Sequence, residues 1–143
     1  MATPAGAIDD AALLQAAEAA LRQAYAKYSD FRVGAALLTS SGRVFHGCNV
    51  EIISFPVGQC AERNAIAAAV LGEGPTMRIA RLVVAAEFRG GIAACSPCGA
   101  CRQAIVEFGA DATVLYRDAG ATLILKSARD LLPDSFAFGG GKP

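Results

Sequence analysis

The sequence predicts an α/β domain of three layers, a central mixed sheet of five strands with helices on both faces. Three observations carry that expectation. Segments with helical periodicity alternate with short apolar runs of strand length, the alternation that a sheet covered on both sides requires. The run from Arg81 to Glu87, built on Leu82, Val83 and Val84, is too apolar for a half-exposed edge strand. Ser40-Ser41-Gly42 lies between two strand-like runs and makes the first pair an antiparallel hairpin.

Taken in order, Ile8 to Lys27 repeats apolar residues at three- and four-residue steps (Leu13, Ala16, Ala17, Ala20, Leu21, Ala24) and reads as an amphipathic helix. Phe31 to Thr39 has the length and bounds of a buried strand, and Arg43 to Asn49 is its hairpin partner. A loop from Val50 to Gln59 leads into an Ala-rich helix from Cys60 to Leu71, stopped by Gly72, Gly74 and Pro75. After the Arg81 to Glu87 strand and a loop at Arg89-Gly90-Gly91, a helix opened by Pro97-Cys98 runs to Phe108; a first-turn proline has no hydrogen bond to lose there. Thr113 to Tyr116 and Thr122 to Leu125 are strands around the turn Asp118-Ala119-Gly120. A short helix, Ser127 to Leu132, starts on Ser127 as N-cap and ends at Pro133. Only Gly139 to Pro143 reads as a loose tail, so 1–143 is one domain, of a length that buries an adequate core without disulfides.

Composition excludes several classes. Thirteen basic residues balance thirteen acidic ones, which gives no field for holding a phosphate backbone, so nucleic acid is not expected as a partner. No apolar run approaches the roughly 18 residues of a membrane span, so no membrane is expected either. The first dozen residues contain Asp9 and Asp10 and no basic residue, unlike an export signal. Five cysteines, an odd number, then suit a reducing, cytoplasmic setting in which grouped thiols bind metal or do redox work.

The chemistry gathers at two helix starts. Cys98 and Cys101 are spaced to share a metal on a first helical turn, and Cys60 can close the set. Three thiolates on Zn²⁺ leave a fourth position for water. Glu62 lies roughly 200° around a helix from Cys60, so the metal must sit beyond the helix start, with Glu62 near the water and outside the ligand set. Two helix N-termini, with Arg63 or Arg102 beside the thiolates, can offset the negative charge of such a site. Two rivals stand beside this reading. One is a Cys-x-x-Cys thiol redox protein, which has no use for Cys60 or Glu62; the other is a structural zinc site closed by Cys95 as fourth ligand. Otherwise Cys95 is a small buried residue, Cys48 a core thiol and His46, the only histidine, a surface or capping residue.

Cys60-Ala61-Glu62-Arg63 with Pro97-Cys98-Gly99-Ala100-Cys101-Arg102-Gln103 closely resembles the small zinc-dependent cytidine deaminases. The resemblance extends to Tyr28 through Leu37, to Gly47-Cys48-Asn49-Val50-Glu51 and to Leu131-Leu132-Pro133. It implies the cytidine-deaminase-like fold, zinc on Cys60, Cys98 and Cys101, and attack by an activated water on C4 of cytosine. Glu62 would protonate N3 and help ammonia leave, giving uridine or deoxyuridine, a step of pyrimidine salvage. It further implies Phe31 lining the base pocket, Asn49 and Glu51 holding the ribose 3′-hydroxyl, Ala61 and Ser96 contacting substrate, and Gln103 with Arg63 and Arg102 around the ligands. Phe136 would enter a neighbouring subunit's site in a homotetramer. The chain departs from the family after Glu51, where Ile52-Ile53-Ser54-Phe55 stands in place of Asn-Ala and, two residues on, a Tyr. Phe55 thus lacks a phenol able to bond the sugar's 5′ side, which also admits an aminonucleoside deaminase of the blasticidin type.

Overall fold

The computed structural model describes residues 8–139. Helix α1 (Asp10–Leu21) is capped by Asp9, whose carboxylate accepts the Ala12 N–H at 2.9 Å. It stops six residues short of the predicted Lys27, because the chain there turns to a different partner: the Tyr25 N–H donates to the Asn49 carbonyl and the Glu51 N–H to the Tyr25 carbonyl. Strands β1 (Phe31–Thr39) and β2 (Val44–Cys48) form the expected hairpin, and β1 also pairs antiparallel with β3 (Ile79–Phe88). Strand β3 pairs in parallel with β5 (Thr113–Arg117), which pairs antiparallel with β6 (Leu123–Ser127). The main path β2-β1-β3-β5-β6 is the predicted mixed five-stranded sheet. A two-residue strand β4 (Gly91–Ile92) adds to β3 beyond it, across a tight turn in which Arg89 (φ 50°) and Gly90 (φ 81°) are both left-handed.

Alternate residues of each strand serve different layers. Val33, Ala35 and Leu37 of β1 pack with Leu82, Val84 and Val114 against α2 (Ala61–Glu73) and α3 (Gly99–Phe108). Ala36, Leu38, Val83, Ala85 and Leu115 face α1 through Leu13, Ala17 and Leu21. The three-layer α-β-α expectation therefore holds, and the period-2 side-chain alternation of the strands produces it. Two glycines set how closely the layers approach. A Cβ on Gly34 would collide with the Ala17 carbonyl of α1, and one on Gly47 with the backbone of Ala61 and Ala65 in α2.

Helix α2 runs past the predicted stop at Leu71. Gly72 lies inside it because the ring of Phe45 occupies the place of a Gly72 side chain, and Gly74, at φ 82°, ends it. The last helix, α4 (Ala128–Leu131), is shorter than predicted, but Ser127 is its N-cap, accepting the Asp130 N–H at 3.0 Å. Of the predicted tail, residues 140–143 lie outside the described residues. Among the described residues, no helix is long and apolar enough to cross a membrane.

Candidate metal centre and active site

Helices α2 and α3 both begin on a cysteine. Cys60 (φ −77°, ψ 150°) is the N-cap of α2 and Cys98 (φ −66°, ψ 167°) the N-cap of α3, both extended rather than helical. An N-cap side chain folds back over the third helical residue, the spacing used by a capping box. At α3 that residue is Cys101; at α2 it is Arg63, whose guanidinium lies 3.8 Å from the Cys60 sulfur. Pro97 thus stands one residue before the cap instead of opening the helix, a correction to its predicted place. Its carbonyl accepts Arg102 Nε at 2.7 Å.

The sulfurs of Cys60, Cys98 and Cys101 lie within 4.8 Å of one another, and those of Cys60 and Cys98 are 3.9 Å apart. Thiolates bound to one zinc at about 2.3 Å stand about 3.8 Å apart in a tetrahedral site, so the cluster fits that ion. Cys95 is not part of the cluster. Burial, with the negative charges of Glu62, Cys60 and Cys98, pushes its thiol up to about 12, which leaves it neutral. The Cys60 thiol is pushed down to about 5, chiefly by a hydrogen bond from Cys101, with Arg63 and Cys98 adding to it. Cys101 moves up as the donor in that bond and by its burial.

Glu62, in the first turn of α2, is only 3% exposed. Burial raises its carboxyl above the ordinary range, against the lowering effect of its backbone N–H and of Cys101. Of the two arginines, one is beside a thiolate. Arg63 reaches Cys60, whereas Arg102 spends its guanidinium on the carbonyls of Pro97 and Leu131 (2.7 and 2.9 Å), tying the α3 start to α4. Gln103 donates to the Phe136 carbonyl at 3.2 Å.

A cavity of ≈ 470 Å³ opens onto this cluster, lined by Cys60, Ala61, Glu62, Ser96 and Cys98 and also by Asn49 and Glu51. Phe31 does not line it. As the first residue of β1 it faces Phe88 across the sheet, with ring centres 6.2 Å apart, and packs on the core. Phe136 is 70% exposed and outside its own chain's cavity, its ring 5.5 Å from that of Phe138. Sequence reasoning assigned no site role to Tyr28, Ser29, Val33 or Gln59, all of which line the cavity. For Tyr28 and Ser29 a signal existed, since Ser29-Asp30 breaks the helical pattern just where the chain must turn, and Asp30 is left-handed (φ 56°). A short 3-10 turn, Phe55–Val57, was also unforeseen; it brings Phe55 into the cavity wall, edge-on to Tyr28 at 5.7 Å.

The family described as the cytidine and deoxycytidylate deaminase zinc-binding region matches residues 7–117. The chain belongs to that family. As a member, it is a zinc-dependent deaminase, and the cluster of Cys60, Cys98 and Cys101 fits its zinc site; the dithiol alternative, with no use for Cys60, falls. The chain is 44% identical over 96 residues to a cytidine deaminase of Sporosarcina psychrophila, covering 67% of each. It is 41% identical over 124 residues to a probable cytidine deaminase of Dictyostelium discoideum, covering 87% of this chain and 81% of that one. The crystal structure of cytidine deaminase from Burkholderia pseudomallei superposes with a TM-score of 0.79 at 42% identity, over 90% of this chain and 99% of that one. The fold is therefore the cytidine-deaminase-like one.

Proposed function

We propose that this chain hydrolyses the exocyclic amine of cytidine and deoxycytidine, giving uridine or deoxyuridine and ammonia. The observation that carries the reading is a carboxyl buried to 3% exposure beside a three-cysteine zinc cluster, at the end of a nucleoside-sized cavity. Bound zinc supplies a Lewis acid that brings the pKa of water toward neutrality. Glu62 takes a proton from the attacking water and gives it to N3 as the C4–O bond forms, then takes the second proton from that oxygen and gives it to the amine as the C4–N bond breaks and ammonia leaves. The first-turn N–H at Ala61 has no partner within its helix and is free to orient the base, and Ser96 lines the same cavity.

At the other end, Asn49 and Glu51 take the sugar 3′-hydroxyl, while Phe55 offers hydrocarbon to the 5′ side. Phe136 completes a neighbouring subunit's cavity in a homotetramer; its 70% exposure on the single chain favours this role. The balanced charge and the cysteine usage favour a cytoplasmic enzyme of pyrimidine salvage that acts on free nucleosides and not on nucleic acid. Turnover of cytidine, deoxycytidine, cytosine and blasticidin S, followed by absorbance, tests the reading. Cytidine and deoxycytidine are the expected substrates, and inactivity on all four would refute it. The apolar wall at Ile52 and Phe55 favours a second reading, a blasticidin-type substrate, which that panel separates. Sedimentation of the wild type and of Phe136→Ala, with kcat/KM for each, tests the shared site.

A further inference from the structure

Asn49 and Glu51 reach the cavity with half and three quarters, respectively, of their side-chain hydrogen-bonding capacity already engaged. Asn49 Oδ1 accepts the Val33 N–H at 2.8 Å and its Nδ2 donates to the Phe31 carbonyl at 2.9 Å, so the side chain is clasped to the start of β1. Glu51 Oε1 accepts the N–H groups of Tyr28 and Ser29 at 3.0 and 3.1 Å, and Oε2 accepts the Ser29 hydroxyl at 2.6 Å. That hydroxyl in turn accepts the Phe31 N–H at 3.0 Å.

An ionised carboxylate offers about four acceptor sites. The two bonds to Oε1 and the one to Oε2 therefore leave a single site, on Oε2, beside the oxygen of Ser29. Rotating the Glu51 side chain to offer any other site would break all of these bonds together. Ser29 itself lines the cavity, in the same wall as Glu51 and Asn49.

We propose that Ser29 is the positioning residue of the sugar end, its hydroxyl holding Glu51 so that one Oε2 lone pair faces the cavity to accept a single sugar hydroxyl. The inference rests on the reading that Glu51 binds the sugar. It makes the fit to the 3′-hydroxyl a property of the loop from Tyr28 to Phe31 as much as of Glu51.

The test compares cytidine with 3′-deoxycytidine in the zinc-loaded wild type, Ser29→Ala, Ser29→Thr and Glu51→Gln. Removing a hydrogen bond to a charged group predicts that Ser29→Ala raises KM for cytidine about tenfold with kcat nearly unchanged, and leaves 3′-deoxycytidine almost unaffected. Ser29→Thr keeps the hydroxyl and restores the wild-type KM. Equal losses on both substrates in Ser29→Ala, or no rescue by threonine, would overturn the proposal. If Glu51→Gln treats the two substrates alike, the sugar-binding reading itself fails. If Glu51→Gln discriminates and Ser29→Ala does not, only the role of Ser29 fails. Should Ser29→Ala not fold, Ser29→Cys, a weaker donor of similar size, is read in its place and must fall between wild type and Glu51→Gln in discrimination.

Discussion

Around the metal site Glu62 is 3% exposed and Cys101 fully buried, whereas Phe55, which also lines the cavity, is 70% exposed. The zinc end is assembled from helix starts. Cys60 and Cys98 are N-caps, Cys101 lies one turn into α3, and the backbone of α2 sits directly on Gly47. Each functional atom there is located by regular structure that the core holds in place. The second end is made of loop held by side chains. Glu51 and Asn49 bind backbone N–H and C=O groups from Tyr28 to Val33, and Phe55 rests against Tyr28. On the proposed function, the zinc end determines whether chemistry occurs, and the loop end which sugar is offered to it. Substitutions can break that division of labour or sharpen it.

The largest effect belongs to the ligands. Cys101→Ser replaces a buried thiol with a hydroxyl that is a poor zinc ligand, so the purified variant should carry far less than the about one zinc per chain expected of the wild type and lack measurable turnover. Its melting temperature should also fall, because bound metal no longer favours the folded state. Retention of full zinc by metal analysis would remove Cys101 from the site. Glu62→Gln comes next. The amide nearly matches the carboxyl in volume, so zinc should stay, while loss of the proton carrier should lower kcat by about 10²- to 10⁴-fold. Substantial residual turnover would place the proton transfer elsewhere and blur the contrast between the two ends.

How much of this was legible in the sequence follows the same division. Strand β1 begins and ends where its apolar run does, and the N-cap Ser127 follows from one residue type at one position. The zinc cluster could be read because caps and three-residue spacings are local and helix starts recur at fixed geometry. Features that depend on contacts distant in sequence were not legible. Gly72 reads as a helix stop until Phe45, far away in the chain, is seen to need its missing side chain. Arg102 reads as a thiolate partner until the Leu131 carbonyl takes it. Phe31 reads as a pocket residue until β3 supplies Phe88 opposite it. The wall made by Tyr28, Ser29, Glu51 and Phe55 lies in loops without periodicity, and its shape is set by hydrogen bonds between segments about twenty residues apart.

A pH effect on the sugar preference is expected from the loop end. Hydrogen bonds from the Ser29 side chain, and then from the Ser29 and Tyr28 backbone, hold the Glu51 carboxyl below its ordinary range. A lowered pKa means that the ionised, sugar-binding form persists above that value and is lost as pH falls through it. The preference for cytidine over 3′-deoxycytidine should therefore stay flat from neutrality down past the usual carboxylate range, near pH 4 to 5, and decline only below it. Taking the ratio of the two substrates cancels any change at the zinc end. A decline beginning near pH 6 would mean that Glu51 is not held by Ser29.

The smallest effect is the most informative about substrate. Phe55→Tyr adds one hydroxyl to an exposed ring, so stability should be almost unchanged. If the 5′ side of the sugar lies against this ring, the new phenol can donate to it, and KM for cytidine should fall a few-fold, the scale of one partly solvated hydrogen bond, with kcat constant. Cytosine, which has no sugar, supplies the internal control and should respond to neither enzyme differently. An equal gain on cytosine would mean that the phenol acts on the base, and the wall from Ile52 to Phe55 would then belong to the catalytic end of the cavity instead of the end that selects the sugar.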